Sequence, residues 1–168
     1  ELLPYLPLFG RVLLQTGTSK EDFVSLTQRI GRTTGGIAQH RAMSARQGSD
    51  GSAAWFFLSG KAVPDRLDDM LAIMGDVLLD ARLDNRARFK QMALEEKAGF
   101  EARLVPSGNA IVDRRLKSSL TEASWISEQI GGVSYLQFLR ALVERIDSDW
   151  DGVEAVLKRI RDTLFNRG

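Results

Sequence analysis

Residues 35–62 read Gly35-Gly36-Ile37-Ala38-Gln39-His40-Arg41-Ala42-Met43-Ser44-Ala45-Arg46-Gln47-Gly48-Ser49-Asp50-Gly51-Ser52-Ala53-Ala54-Trp55-Phe56-Phe57-Leu58-Ser59-Gly60-Lys61-Ala62. Gly48-Ser49-Asp50-Gly51 is a turn signal between two extended segments, Ile37 to Gln47 and Ser52 to Ala62, which together predict a β-hairpin. The outgoing strand carries Trp55, Phe56, Phe57 and Leu58 in succession, hence large apolar groups on both of its faces. Such a strand wants cover on both sides and neighbours on both edges. A lone two-stranded hairpin is marginal in water, so further strands are expected outside this chain or in another copy.

On either side of the hairpin the periodicity is helical. Pro4 to about Thr16 predicts a short helix whose apolar residues, Leu6, Leu8, Phe9, Val12, Leu13 and Leu14, run almost all round and call for burial. Gly17 stops it. Thr18-x-x-Glu21 has the pattern of a capping box and opens a second helix with Phe23, Leu26 and Ile30 on one face. After Pro64 comes a stripe of Leu67, Met70, Leu71, Met74, Val77 and Leu78. Asn85 then caps a helix with Phe89, Met92, Ala93, Glu96 and Phe100 on one face. Shorter helices are expected from Asn109 to Leu120 and from Thr121 to Ile130. Beyond Gly131-Gly132, Tyr135 to Ile146 gives a broad apolar face, and a last helix opens with Ser148-x-x-Asp151 and carries Trp150, Val153, Leu157, Ile160 and Leu164. The Val105-Pro106-Ser107-Gly108 break reads as a loop. Helices, a hairpin, then a long helical run predict one α+β domain over residues 1–168.

The 168 residues are 43% hydrophobic and 27% charged, which excludes a disordered chain. With 23 Lys+Arg against 22 Asp+Glu, the net charge of +1 exerts no strong pull on nucleic acid or anionic lipid. Neither is an expected partner. The absence of Cys excludes disulfides, thiolate zinc sites and cysteine nucleophiles. His40 is the single histidine, so one copy of the chain cannot hold an H-x-x-E-H zinc motif. Leu2 to Leu14 is too short to span a bilayer, contains Pro4, Pro7 and Arg11, and lacks the basic start of a signal peptide. A chain opening on Glu1 reads as a piece of something longer, soluble and not secreted.

Four groups of residues carry candidate chemistry. His40, near Arg41 and Arg46, would need an oriented partner and a nucleophile to act as a base; it reads as a strand histidine on a polar face. Arg114, Arg115 and Lys117 could meet phosphate, but without interleaved aromatics they read as a solvated helix face. Trp55, Phe56 and Phe57 could form a stacking platform and read as core. Glu96 is the odd one, because a carboxylate on an apolar stripe is costly unless paired. Either its head reaches water or an arginine, or it is a former ligand or chamber-facing acid. The sequence leaves these alternatives open.

Leu2-Leu3-Pro4-Tyr5-Leu6-Pro7-Leu8-Phe9, Gly17, Gln28-Arg29-Ile30, Thr34-Gly35-Gly36 and Gly132-Val133-Ser134-Tyr135-Leu136-x-Phe138-Leu139 resemble the presequence protease branch of the insulinase and pitrilysin zinc metallopeptidases. They are similar to the third of that family's four homologous domains, which lacks the catalytic zinc motif. Setting Gly17 on the glycine after the family's zinc motif places Leu8 and Val12 at the two histidine positions and Arg11 at the catalytic glutamate. Glu95-Glu96-Lys97-Ala98-Gly99, set on the family's N-E-M-K-G, places Glu96 at the third metal-ligand position. The resemblance thus implies no catalytic residue and no metal site in this chain, with Glu96 a relic and zinc held elsewhere in the parent enzyme. It also implies an insulinase or mitochondrial-processing-peptidase-like domain, partial here, with helices packed on a mostly antiparallel sheet of which this chain supplies one hairpin.

The expected role is therefore a non-catalytic part of the chamber wall of an enzyme that degrades unstructured peptides. Its partners would be the parent's other domains and peptide substrates. The compartment would be bacterial cytoplasm or, in a eukaryote, an organelle matrix. The alternative is a stand-alone interaction module that dimerises or binds a partner through its unpaired hairpin edge.

Overall fold

A 3-10 turn at Leu3–Tyr5 feeds straight into helix α1, Leu6–Gln15. Pro4 and Pro7 stand in first turns, where a missing N–H costs nothing. Pro7, Leu8, Phe9, Gly10, Val12 and Leu13 are all buried, so α1 is covered almost all round, as its unbroken apolar run requires. The computed structural model describes residues 1–48 and 51–165. Ser49 and Asp50 of the expected turn lie outside the described residues, as does the end of the chain from 166 to 168.

Gly17 ends this segment with φ +83°, a left-handed conformation, and a Cβ there would meet the Glu21 carbonyl oxygen at 2.6 Å. The expected capping box does not form. Thr18 is buried in an isolated antiparallel bridge with Ala81, and its N–H donates to the Glu21 carbonyl at 2.8 Å. Helix α2 starts later, at Phe23–Thr33, capped by Asp22, whose Oδ1 accepts from the Ser25 amide at 2.8 Å. Thr18 and Glu21 are occupied in a turn, which leaves the aspartate as the first free acceptor.

Strands β1 (Ile37–Ala45) and β2 (Ser52–Gly60) pair antiparallel, with His40 opposite Phe57 and Ala42 opposite Trp55. Each is two residues shorter than the sequence implies. Phe56 packs against the main core and meets Phe9 of α1 edge to face at 6.3 Å, while Leu58 joins a smaller cluster. The cover expected on the other side is absent among the described residues, for Trp55 is 50% exposed and Phe57 48%. The hairpin is buried on one face only.

The remaining elements are helical: α3 (Leu67–Leu79), α4 (Arg86–Arg103), α5 (Gly108–Lys117), α6 (Glu122–Gly131), α7 (Val133–Ser148) and α8 (Trp150–Leu164). Asn85 caps α4 through the Arg88 amide, as its position predicts, and Thr121 caps α6. Asp149 rather than Ser148 caps α8, accepting from the Gly152 amide at 3.0 Å. The α3 stripe is also corrected. Met70, Ile73 and Val77 are buried, whereas Leu67 and Leu71 are 47% and 52% exposed, because the helix turns toward α2 and not toward the main core.

Around α1 stand the inner faces of α4 (Phe89, Met92, Ala93), α7 (Leu136, Leu139, Leu142, Ile146) and α8 (Val153, Leu157, Ile160), forming the main core. A smaller cluster of Leu26, Ile73 and Val77 lies between α2, α3 and the hairpin. The fold is α+β. Leu8→Ala, in the centre of the main core, is expected to cost about 2–5 kcal/mol. Leu116→Ala, at an α5 side chain 71% exposed, should stay within about 0.5 kcal/mol. Urea unfolding checks the contrast; equal losses would contradict the central placement of α1.

Candidate functional site

Arg11 is the one charge on α1, and its guanidinium reaches out between α1 and α4. It donates from Nη2 to Glu95 Oε2 at 2.6 Å and to Gln15 Oε1 at 3.2 Å, and from Nη1 to the Met92 carbonyl at 3.2 Å. Its Nη1 also stands 3.5 Å from Glu96 Oε2. Glu96 lies on the apolar stripe of α4 beside buried Met92, Ala93 and Phe100, and its head is on an arginine. That ion pair offsets the cost of a carboxylate in this setting. The Arg11 hydrogen bond holds the Glu95 carboxyl below the usual carboxylate range.

Leu8 and Val12 flank Arg11 on the same helix and are 0% and 1% exposed within the main core. A metal ion does not fit these positions. Leu8 and Val12 offer no donor atom, Arg11 is a cation, and both nearby carboxylates are already engaged by it. Among the described residues no group of three or more His, Asp or Glu is arranged to hold a metal.

His40 is exposed on the outer face of β1, and its Nε2 is 2.9 Å from Ser59 Oγ on the neighbouring strand. Among the described residues no carboxylate bonds the ring to orient it as a base. Arg114, Arg115 and Lys117 divide. Lys117 makes an exposed i,i+4 pair with Asp113, as a solvated face would. Arg114 instead donates to the Gly131 carbonyl, and Arg115 donates to Ser134 Oγ at 3.1 Å and Glu128 Oε1 at 3.4 Å. The carbonyls ending α6 and the start of α7 give these two heads partners that a helix drawn alone does not reveal.

Sequence reasoning missed Glu128, a carboxylate that is 0% exposed. Its Oε1 accepts from the Ser134 amide at 3.1 Å and from Arg115, while Oε2 has no hydrogen-bond partner. The available signal is Gly132, four residues on: any Cβ there would fall on the Glu128 carboxylate. Also missed is a cleft of about 400 Å³ between β1, α4, α5 and α7. Arg41, Arg103, Arg114, Glu96, Phe100 and Tyr135 stand on its walls. Tyr135 is 1% exposed and its hydroxyl has no partner; burial pushes its pKa up. Burial likewise pushes the Arg41 guanidinium down from its ordinary value. Nothing in the cleft pairs a nucleophile with a base.

A model of the family of segments associated with M16 peptidases of subfamily C matches residues 1–142. The chain belongs to that family. It is 40% identical over 167 residues to presequence protease 1, chloroplastic/mitochondrial, of Arabidopsis thaliana, covering 99% of this chain and 16% of that protein. Protein HypA of Clostridium perfringens is 27% identical over 100% of the chain and 17% of its own length. The mitochondrial presequence protease of Danio rerio is 25% identical over 99% of the chain and 16% of its own length. The chain thus spans about a sixth of the curated relatives it matches. The resemblance to the presequence protease branch extends along nearly all of it, within the peptidases of the insulinase family. Among the described residues no helix is long and apolar enough to cross a membrane.

Because the folded Glu95 carboxyl titrates below its unfolded value, its stabilising effect is complete above about pH 5 and is lost as pH falls through the lowered pKa. Glu95→Gln should therefore lower the urea midpoint at pH 7 and have no effect near pH 2. A difference that persists undiminished in acid would contradict the Arg11 pairing.

Proposed function

We propose that this chain is a non-catalytic domain of a larger zinc metallopeptidase that degrades unstructured peptides, and that it forms part of the substrate-chamber wall. The observation that carries the reading is the run of presequence protease relatives along the whole chain, including the Arabidopsis thaliana relative at 40% identity. The zinc and its chemistry belong on another domain of that parent. On this reading residues 1–168 are one partial insulinase-like domain. Leu8, Arg11 and Val12 stand at the zinc-motif positions and Glu96 at the third ligand position, with Arg11 holding both α4 carboxylates by charge where a metal ion would otherwise do so.

A wall domain contributes by enclosing the substrate, excluding water and limiting the size of what enters. The exposed Trp55 and Phe57 face and the unpaired edges of β1 and β2 support packing against further strands and domains of the parent. The relatives' names are mitochondrial or chloroplastic in eukaryotes, which supports an organelle matrix, with the cytoplasm as the bacterial counterpart. The same exposed face favours the second reading, a self-contained module that pairs through the hairpin with a second copy or a partner.

The test uses the full-length protein with its metal chelated, so that a bound peptide cannot turn over. An unstructured peptide carrying a photoreactive residue should cross-link to this segment. Labelling confined to other domains would contradict the wall role. Purification of the segment as a hairpin-paired dimer with no larger parent would support the second reading.

A further inference from the structure

The walls of the 400 Å³ cleft are unbalanced in charge. Arg41, Arg103 and Arg114 face it with Glu96 as counter-charge, and Glu96 is already paired with Arg11. None of the three arginines forms an ion pair with a carboxylate among the described residues. Arg41 Nη1 reaches only neutral acceptors, the Leu6 carbonyl at 3.4 Å and Gln39 Oε1 at 3.3 Å. Arg103 lies over the Phe100 ring at 5.7 Å, and Arg114 donates to the Gly131 carbonyl. A partly buried guanidinium without an anion, as at Arg41, is a strong, fixed donor awaiting an acceptor.

Tyr135 supplies the independent observation. Its side chain is 1% exposed, it stands on the cleft wall, and its buried hydroxyl has no hydrogen-bond partner. Such a group costs free energy unless something supplies the missing acceptor. Arg41, Arg103 and Glu96 all lie close enough to act electrostatically on it. Phe100, Ile111 and Ile130 give the same cleft an apolar side.

We propose that the cleft bounded by Arg41, Arg103, Arg114 and Tyr135 binds a diffusible carboxylate that carries an adjacent apolar group, the chemistry of a peptide's C-terminal residue. The guanidiniums take the carboxylate oxygens, the Tyr135 hydroxyl donates to one of them, and the Phe100 side covers the apolar part. The proposal stands apart from the chamber reading, since it rests on the charge and hydrogen bonding of this cleft alone. An acidic side chain from elsewhere in a parent protein has the same chemistry, and the experiment separates the two sources.

Calorimetric titration of the full-length protein with N-acetyl-leucyl-leucine and with its C-terminal amide tests it. Saturable binding of the acid, at least about tenfold tighter than the amide, is expected because the charged oxygen carries the recognition. Tyr135→Phe removes only the hydroxyl, which holds nothing in this structure, and should weaken the acid about tenfold while leaving the amide unchanged. Arg41→Gln should weaken the acid further, and circular dichroism verifies that both variants fold. Equal binding of acid and amide, or undiminished binding by Tyr135→Phe, would overturn the assignment. Absence of binding to the full-length protein would also overturn it and assign the cleft to an internal acidic side chain.

Discussion

A helix that is apolar on almost every side must be surrounded, and that demand on α1 organises the rest of the chain. Leu8, Phe9, Val12 and Leu13 are each 1% exposed or less, so no face is left to meet water. Removing such side chains from a core costs several kcal/mol apiece. The solvent-screened ion pairs that Arg11 makes contribute little beside that. Burial therefore decides where the helix goes, and charge decides only how its single cation is accommodated. Arg11 finds its acceptors on α4, the neighbouring helix, and this fixes the rotation of α4 so that Glu95 and Glu96 turn toward α1. From α4 the chain of dependence runs to α7 and to the Tyr135 wall of the cleft.

Much of this was legible because burial leaves a period in the sequence. The helices α4, α7 and α8 were readable from apolar residues three and four apart, and the all-round pattern of α1 foretold its central place. The hairpin and its approximate bounds followed from alternation and glycines. What failed was local competition between nearly equivalent caps. Thr18 and Asp22 both can cap α2, and only the bridge from Thr18 to Ala81 decides for Asp22. Likewise Leu67 and Leu71 obey a helical period, yet α3 buries the stripe through Ile73 instead. A period marks an apolar face without saying which neighbour will claim it.

The candidate sites follow the same division. That Glu96 needed a partner was legible from its place on an apolar stripe; that the partner is Arg11, far away along the chain, was not. Glu128 and the cleft depend on the α5–α6–α7 corner, where groups from three helices converge, and no local pattern announces such a convergence. The near-zero net charge misleads here as well, because it averages an arginine-rich cleft with carboxylates placed elsewhere. For a domain without catalytic residues, such local imbalances are the features through which it can act on whatever touches it.

Native-state hydrogen exchange across the chain tests the central claim most directly. If α1 is the element on which the others close, the amides from Phe9 to Leu14 exchange only through global opening and rank among the slowest in the chain. The amides of α5, which buries no residue, should exchange orders of magnitude faster. Comparable rates in α1 and α5 would contradict the account and move the organising core to another pair of helices.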